Sequence, residues 1–350
     1  VETAYNRLKK NEHFFGDVGL VIIDEAHLGN FKKIINHYSN NVIVGLTATP
    51  IYSSKRYPMK NDYEDIVCGI DIPELIENGA LVPNRTYSPK KGVNRKDLKI
   101  KNGEFDESFM ASKFSKSINV NNTVEQYKKY AEGTKAIVFN CNVSHSLLVT
   151  EAFLNAGYQT MHLDGSMSDA EKERILNWFK YTPGAILNSV AVLTAGYDEP
   201  SIQTVIMNRS TLSLPLWLQS TGRGSRPYPG KEYFTILDLG GNAIYHGDWS
   251  SSRDWEDLFF NPPTLSNKKN KAPAPIKLCI ACEAIISAMV RTCKYCGAQQ
   301  PFISNIEIDG KPIELELLSS QINIAKLVAE NPPHWNKHAV LHRVKMEIIK

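Results

Sequence analysis

The feature that most constrains the fold is an apolar run at residues 18–23 that stops abruptly at two acids, Asp24 and Glu25. A short continuous run of Val, Ile and Leu bounded by polar residues is typical of a strand buried on both faces of a parallel sheet. Such sheets place ligands just beyond the carboxyl ends of their strands. Paired carboxylates there suit phosphoryl transfer, since one can hold Mg²⁺ while the other orients an attacking water. The plainer alternative is an ordinary strand followed by a solvated acidic turn.

Three later segments follow in an informative order. A second apolar run at 42–46 ends in Thr-Ala-Thr-Pro at 47–50, and another leads to Ala-Gly-Tyr-Asp at 195–198. Gln-Ser-Thr-Gly-Arg-Gly-Ser-Arg occupies 219–226. With Asp-Glu-Ala-His at 24–27, the series resembles motifs II, III, V and VI of superfamily-2 helicases and translocases. The resemblance implies an α/β protein with two RecA-like parallel-sheet lobes, of which the first is partial.

The same resemblance implies that ATP and Mg²⁺ bind in the cleft between the lobes. Asp24 would hold the Mg²⁺ and Glu25 would polarise the hydrolytic water. The implied catalytic residues are Asp24, Glu25, His27, Arg223 and Arg226, and the implied nucleotide-binding residues are Gln219, Gly222, Gly196 and Asp198. Thr47 and Thr49 would couple the nucleotide site to a nucleic-acid site containing Asn140, Gly165 and Ser166. Gly222 would allow close backbone approach.

Each of these assignments has a plainer alternative. Thr47 and Thr49 could serve only as turn and cap residues. Arg223 and Arg226 are three residues apart and would share a face of one helical turn. Their forked guanidinium groups suit phosphate oxygens, so they could act as arginine fingers, or they could form a solvated basic turn. For the three expected nucleic-acid contacts, an ordinary loop is the alternative.

Six cysteines are present, and four of them form two Cys-x-x-Cys pairs ten residues apart: Cys279, Cys282, Cys293 and Cys296. Paired thiolates from tight turns suit tetrahedral Zn²⁺ and predict a small four-cysteine zinc module. Free dithiols, a redox pair and an iron–sulfur cluster are the alternatives. The pattern also indicates a reducing compartment, and the cytoplasm is the expected location. Cys68 and Cys141 stand alone and are expected to be buried apolar residues.

Alternating strand and helix patterns predict the domain organisation. Strands are expected at 135–140, 158–163, 185–193, 202–207 and 232–238, with helices at about 143–156, 168–180 and 214–221. Ser168 and Glu171 form a capping box for the middle helix. The predicted divisions are a partial first lobe (1–83), an interlobe connection or insertion of little periodicity (84–122), a second lobe (123–261), a basic linker with the cysteine module (262–300) and a C-terminal extension (301–350) with a helical pattern near 314–330.

No GxxxxGK[ST] phosphate loop occurs in the sequence. Because a nucleotide-binding lobe should open with a strand and this loop, the chain is expected to be a fragment that begins midway through its first lobe and hydrolyses ATP poorly by itself. The 40 basic and 37 acidic residues give a net charge of +3, so contact with nucleic acid would be local, along a groove. No apolar segment approaches the roughly 20 residues that a membrane span needs.

Two phrases narrow the resemblance. Residues 192–200 and 238–247, the latter with Asn242 and His246-Gly247, resemble the bacterial RadD-type DNA repair helicases over about residues 1–300. Motor subunits of restriction systems are also similar. We therefore expect an ATP-dependent helicase or translocase whose partner is DNA rather than RNA. The alternatives are a catalytically inactive nucleic-acid-binding or scaffold protein and a restriction motor subunit.

Overall fold

A computed structural model describes most of the chain. The described residues are 2–11, 14–52, 57–88, 95–193, 196–262, 276–288, 290–300, 305–308 and 311–314. The predicted helical pattern near 314–330 and most of the predicted linker lie outside these ranges. Residues up to 298 form one compact unit, and the chain from 299 onward forms another.

The first part of the chain contains a parallel pair of strands. The elements are α1 (Glu2–Lys10), β1 (Leu20–Asp24), a 3-10 turn (Ala26–Leu28), α2 (Lys32–His37) and β2 (Val42–Leu46). Strands β1 and β2 pair in parallel. One face of the pair carries Ile23 into a core with Ala26, Ile35 and Met59.

The other face of this pair corrects the expectation that β1 is buried on both sides. Leu20 is 50% exposed and Ile22 is 61% exposed. Val42, Val44 and Leu46 of β2 are exposed on the same side. The physical reason is that, within the described residues, this sheet has two strands and a core on one face only.

The middle of the chain is more structured than its sequence indicates. It contains a 3-10 turn (Met59–Asn61), α3 (Ile72–Glu77), β3 (Asn84–Tyr87), a second 3-10 turn (Arg95–Asp97), the hairpin strands β4 (Ile100–Lys101) and β5 (Glu104–Phe105), α4 (Glu107–Phe114) and α5 (Ser117–Tyr130). Residues 84–122, predicted from their low periodicity to be an interlobe connection or insertion, contain β3, which joins the large sheet, and the start of α5 at Ser117. Short strands and helices can be stabilised by tertiary contacts that local periodicity does not reveal.

The next part of the chain follows the predicted alternation. The elements are β6 (Ala136–Asn140), α6 (Val143–Asn155), β7 (Thr160–Asp164), α7 (Asp169–Tyr181), β8 (Ile186–Val190), β9 (Thr204–Asn208), α8 (Leu214–Gly222), β10 (Phe234–Asp238), α9 (Asn242–His246) and α10 (Trp255–Phe260). All five expected strands and all three expected helices are present. The capping box of α7 forms as predicted, with Ser168 and Glu171 bonding reciprocally.

These strands build a six-stranded, wholly parallel sheet in the order β3-β10-β9-β6-β8-β7. One face packs Ile137, Val205 and Ile236 against Phe179 of α7 and Trp217 of α8. The opposite face packs Val138, Ile206 and Leu237 against side chains of α5 and α6. Helices on both faces explain why the four central strands are buried throughout, and the α/β class with a parallel sheet is confirmed.

The cysteine segment contributes the antiparallel pair β11 (Ile276–Leu278) and β12 (Ile285–Ser287). In the second unit, β13 (Asn305–Ile308) and β14 (Lys311–Glu314) form another antiparallel pair. Among the described helices, the longest is α5 at 14 residues, and no helix has the length and apolar character needed to cross a bilayer.

Candidate functional site

The acidic motif lies at the carboxyl end of β1, where the sequence predicts it. The Asp24 carboxylate accepts a hydrogen bond from the Glu25 amide at 2.9 Å. Glu25 has a positive φ of 51°, which is uncommon for a residue with a side chain and turns the chain sharply after the strand. Asp24 remains exposed, and the Glu25 carboxylate lies 3.3 Å from Nδ1 of buried His27. The end of β1 thus carries two carboxylates, one exposed and one beside His27.

His27 joins the two threonines to Gln219 of α8. Its Nδ1 lies 3.0 Å from Oγ1 of Thr47, which also accepts the Thr49 amide at 3.0 Å. The Gln219 side-chain amide, from α8, lies 2.8 Å from His27 Nε2 and donates to Oγ1 of Thr49 at 3.2 Å. Burial lowers the pKa of His27, with the Glu25 carboxylate and the Gln219 hydrogen bond partly opposing it. The neutral ring is therefore favoured as the hydrogen-bonding form.

The two arginines lie just beyond α8 and contact a single turn. Arg223 donates from Nη1 to the Tyr197 carbonyl at 2.6 Å, and Arg226 donates to the same oxygen at 3.3 Å. Arg226 Nε also lies 3.0 Å from the Asp198 carboxylate. Burial lowers the pKa of Arg223, as does the Arg226 cation, while the Glu25 and Asp198 carboxylates act in the opposite direction. In this conformation the arginines are held by residues 197–198, with Glu25 close enough to influence Arg223.

The glycines differ from expectation. A Cβ added at Gly222 would be 3.5 Å from the Trp249 ring nitrogen, which is an ordinary contact. At Gly224 it would be 2.3 Å from a ring carbon of Phe234. The close approach expected at Gly222 therefore occurs at Gly224. Gly196 has a positive φ of 72°, a conformation that glycine adopts readily.

Asn140, an expected nucleic-acid contact, is only 1% exposed. Its amide donates to Oδ1 of Asn188 at 3.2 Å and its carbonyl accepts from Asn208 at 3.1 Å. Because both ends of the side chain are used inside the sheet, this arrangement does not support direct contact with nucleic acid. The expectation overlooked amides on two neighbouring strands that lie 48 and 68 residues away in sequence.

Gly165 and Ser166 do lie on an exposed turn after β7. The Ser166 amide and hydroxyl donate to Oδ1 of Asp164 at 2.7 and 2.6 Å. Asp164 in turn contacts His162 Nε2 at 2.7 Å. The Ser166 hydroxyl holds the pKa of Asp164 down at about 2 despite burial, with the Ser166 amide and His162 also contributing. An ionised Asp164 thus fixes the turn.

The four paired cysteines converge, and their Sγ atoms all lie within 4.8 Å of one another. Cys279 and Cys296 sulfurs are 3.6 Å apart, and Cys282 and Cys293 sulfurs are 3.8 Å apart. Four thiolates about 2.3 Å from one tetrahedral Zn²⁺ would be separated by about 3.8 Å. The donor set and its spacing therefore fit zinc.

Two similar turns produce this convergence. In the first, the Cys279 amide donates to Ala284 O and the Glu283 amide to Cys279 O, at 2.9 and 3.0 Å. In the second, the Cys293 amide donates to the carbonyl at 298 and the amide at 297 donates to Cys293 O, each at 2.9 Å. Positive φ at Glu283 and at position 297, 59° and 72°, lets each turn reverse after its second cysteine.

The cysteine segment is attached to the large sheet. Ala284 bridges to Tyr87 of edge strand β3, and the Tyr295 hydroxyl donates to the Asn84 carbonyl at 2.9 Å. Ile285, 2% exposed, belongs to the hydrophobic core of the sheet. Glu283 pairs with Lys129 of α5 at 2.6 Å. Of the two other cysteines, Cys141 is buried as expected, whereas Cys68 is exposed and corrects the prediction.

One residue of the site was not predicted. Lys231 is 8% exposed, and its Nζ donates to the carbonyls of Pro200 and Arg226 at 3.0 and 2.9 Å. It thereby ties the arginine segment to the turn after Asp198. The only sequence signal was a Gly-Lys pair shortly after the arginines, and a lone lysine is usually a surface residue.

Comparison with known proteins agrees with this geometry. Residues 117–227 match the helicase conserved C-terminal domain, and residues 1–52 match the type III restriction enzyme res subunit. A 51.5 kDa protein of Lactococcus phage (isolate 7-9) is 29% identical over 89% of this chain and 68% of its own length. IRC3 of Saccharomyces cerevisiae, whose name assigns it to the ATP-dependent helicases, is 26% identical over 70% of this chain.

A restriction-enzyme relative appears by sequence and another by structure. The type I restriction enzyme EcoAI endonuclease subunit of Escherichia coli is 25% identical over 63% of the chain. A fragment of an HsdR subunit of a type I restriction enzyme from Vibrio vulnificus YJ016 has the same fold over 71% of the chain, with a TM-score of 0.56 and 20% identity. The chain spans 37% of IRC3 and 31% of the EcoAI subunit. The chain is therefore similar to superfamily-2 helicases over residues 1–52 and 117–227, with relatives among type I restriction-enzyme subunits and the IRC3 helicases.

Proposed function

We propose that the protein is an ATP-dependent nucleic-acid motor whose nucleotide site includes the contact between β1–β2 and α8. The observation that carries the proposal is the set of hydrogen bonds from Gln219 to His27 and Thr49. They join the acidic motif at the end of β1 to α8, the helix that leads into the arginine segment. A ligand bound between the acidic motif and the arginines can therefore shift the β1–β2 sheet relative to the six-stranded sheet. A motor requires such a ligand-dependent movement.

Within this site, bound Mg²⁺ supplies positive charge to the phosphates, and Asp24 is the side chain that would hold it. Glu25 orients the attacking water, while His27 keeps its carboxylate near the strand end. Arg223 and Arg226 exchange the Tyr197 carbonyl and Asp198 for phosphate oxygens and so neutralise transition-state charge. Thr47 and Thr49, already bonded to His27 and Gln219, relay the state of the nucleotide site.

The test is hydrolysis of ATP by the whole protein that carries this chain, measured with and without nucleic acid. Glu25→Gln and Arg226→Ala should each lower kcat by roughly 10³-fold or more, with ATP binding largely retained. Arg7→Ala removes an exposed arginine of α1 and is the matched control. Normal turnover by both site variants would refute the proposal and favour a nucleic-acid-binding or scaffold protein without turnover.

We propose DNA as the nucleic acid. The support is that relatives by sequence include a restriction-enzyme subunit and a transcription-repair-coupling factor from Haemophilus influenzae. Among DNA motors, a restriction motor subunit is favoured by the match of residues 1–52. A RadD-type repair helicase is favoured by the Asn242…His246-Gly247 phrase ahead of the four cysteines. Stimulation of hydrolysis by DNA but not by RNA of the same sequence is expected, and the reverse would overturn this part.

We further propose that Cys279, Cys282, Cys293 and Cys296 hold one structural Zn²⁺. Four protein thiolates leave no open position for a reacting water. Protein purified without chelators should contain one zinc per chain by elemental analysis, and Cys68→Ser should not change that value. An iron content with visible absorption would indicate an iron–sulfur cluster instead, and four freely titratable thiols in metal-free native protein would refute any metal site.

A further inference from the structure

The segment between β3 and α4 contains a short hairpin with a well-defined turn. Asn102 and Gly103 connect β4 to β5 and have positive φ values of 53° and 85°. Positive φ at both central residues is the requirement of a two-residue type I′ turn, which Asn-Gly fulfils well. The turn brings Glu104 and the buried ring of Phe105 onto the loop that precedes α8.

Glu104 bonds to this loop through both carboxylate oxygens. Oε2 accepts the Thr211 hydroxyl at 2.6 Å and Oε1 accepts the Leu212 amide at 2.8 Å. Thr211 is fully buried and Leu212 is 9% exposed. Leu212 lies in a hydrophobic cluster with Phe105 and residues of α4. The loop is therefore enclosed by the hairpin and held by a charge-assisted pair of hydrogen bonds.

Arg95, just ahead of the hairpin, holds the same loop from another direction. Its Nη2 donates to the Thr211 carbonyl at 2.7 Å, and its Nη1 donates to Oδ1 of Asn242 at 2.9 Å. That Asn242 oxygen also accepts the Thr211 amide at 2.8 Å. The guanidinium carbon lies 4.6 Å from the ring centroid of Tyr245, within cation–π range. The Asn…His-Gly phrase thus provides the other side of the clamp.

The loop leads directly into the helix of the proposed nucleotide site. Oγ1 of Thr211 accepts the Ser213 amide at 2.9 Å. Ser213 caps α8 by accepting the Leu216 amide at 3.3 Å. Gln219, which reaches His27, follows one turn later on α8. Because these hydrogen bonds connect Thr211 to Ser213 and Ser213 to the first turn of α8, movement of the loop would displace the start of α8.

We infer that Arg95 and Glu104 are positioning residues that clamp loop 209–213 and so fix α8, with Gln219 and the two arginines, in its working orientation. The inference rests on the proposed function in assigning a reaction to α8. The hairpin would accordingly belong to the motor mechanism through α8, without touching nucleotide itself. A displacement of about 1 Å in such a site can lower the rate by roughly 10²-fold.

The test uses Arg95→Ala and Glu104→Gln, with Asp97→Asn as the control at an exposed position of the same segment. Hydrogen exchange is followed in the chain itself. Both variants should speed exchange of the first-turn amides of α8, while β9 keeps the protection of the parent. Glu104→Gln retains one acceptor oxygen and should show the smaller effect. Unaltered exchange in α8 for both variants would overturn the clamp, whether or not the protein hydrolyses ATP.

The second measurement is hydrolysis by the whole protein. Arg95→Ala, assayed well below its thermal midpoint, should lower kcat by roughly 10-fold to 10²-fold while KM for ATP stays near the parent value. A kcat equal to that of the parent would refute a positioning role. If Arg95→Ala does not fold, Glu104→Gln supplies both measurements. Failure of the proposed motor function is distinguished by absent hydrolysis in the parent.

Discussion

Replacing Cys282 by Ser tests whether the cysteine segment supports the large sheet. If the four cysteines hold zinc as proposed, the variant should lose it, and the two turns that bring the sulfurs together should open. Ile285, now 2% exposed, would leave the core of the sheet, and burying an Ile side chain is worth about 1.5–3 kcal/mol. Loss of the Tyr295–Asn84 hydrogen bond adds about 0.5–1.5 kcal/mol. The free energy of unfolding should therefore fall by roughly 2–4.5 kcal/mol.

For a domain of this size, that change corresponds to a thermal midpoint lower by roughly 5–15 °C. Calorimetry on the chain, with zinc content measured on the same samples, gives both quantities. Cys68→Ser is the control, because Cys68 is an exposed cysteine outside the cluster. If Cys282→Ser loses its metal and keeps the parent midpoint, the segment is an independent module and the reasoning from Ile285 is wrong.

Three further predictions follow from individual side chains. Gln219→Leu removes the amide that contacts His27 at 2.8 Å. The kcat of ATP hydrolysis by the whole protein in the presence of nucleic acid should fall at least about tenfold, which corresponds to about 1.4 kcal/mol. An unchanged kcat would contradict coupling through this contact. Burial lowers the pKa of His145 to about 4 from 6.5. Below pH 6.5 the unfolded chain therefore binds a proton that the folded chain does not, and this side chain should lower the free energy of unfolding by roughly 2 kcal/mol at pH 5 relative to its value above pH 6.5. His145→Asn should show a flatter stability profile between pH 6.5 and 4 in denaturant titrations, and a profile parallel to the parent would disprove this. Gly224→Ala would place a Cβ 2.3 Å from a ring carbon of Phe234 in β10 and should lower the free energy of unfolding by about 1–3 kcal/mol. Gly222→Ala should have the thermal midpoint of the parent. Equal midpoints for the two variants would contradict this prediction.

The large sheet could be predicted because its signals are local. Each of the four central strands contains consecutive apolar residues, and the capping box of Ser168 and Glu171 marks the start of α7. The sequence pattern of β1 is equally apolar, yet it cannot reveal whether both faces are covered. The exposed side chains Leu20 and Ile22 show that an apolar run predicts the strand without predicting its second layer.

The site was predictable to the same limited extent. The order of the motifs led to His27, Thr47 and Gln219, which the structure brings into contact. The partner of Arg223 and Arg226 was not predictable, because the Tyr197 carbonyl that accepts from both has no side-chain signature. Arg95 was missed for a related reason: its partners lie 116 to 147 residues away in sequence, and a single arginine in a polar stretch resembles any surface residue.

The asparagines inside the large sheet have a consequence for how the chain folds. Asn140 on β6 lies directly opposite Asn208 on β9, and Asn188 on β8 lies opposite His162 on β7. Parallel strands with uniformly apolar side chains can slide past one another by two residues at little cost, whereas here a slide would bury an amide against hydrocarbon. Each orphaned amide costs about 1–3 kcal/mol, so mispaired arrangements are penalised before the helices cover the sheet. Replacing Asn140 and Asn208 together by Leu should therefore slow refolding and increase aggregation, because the amides that penalise misaligned strands would be gone.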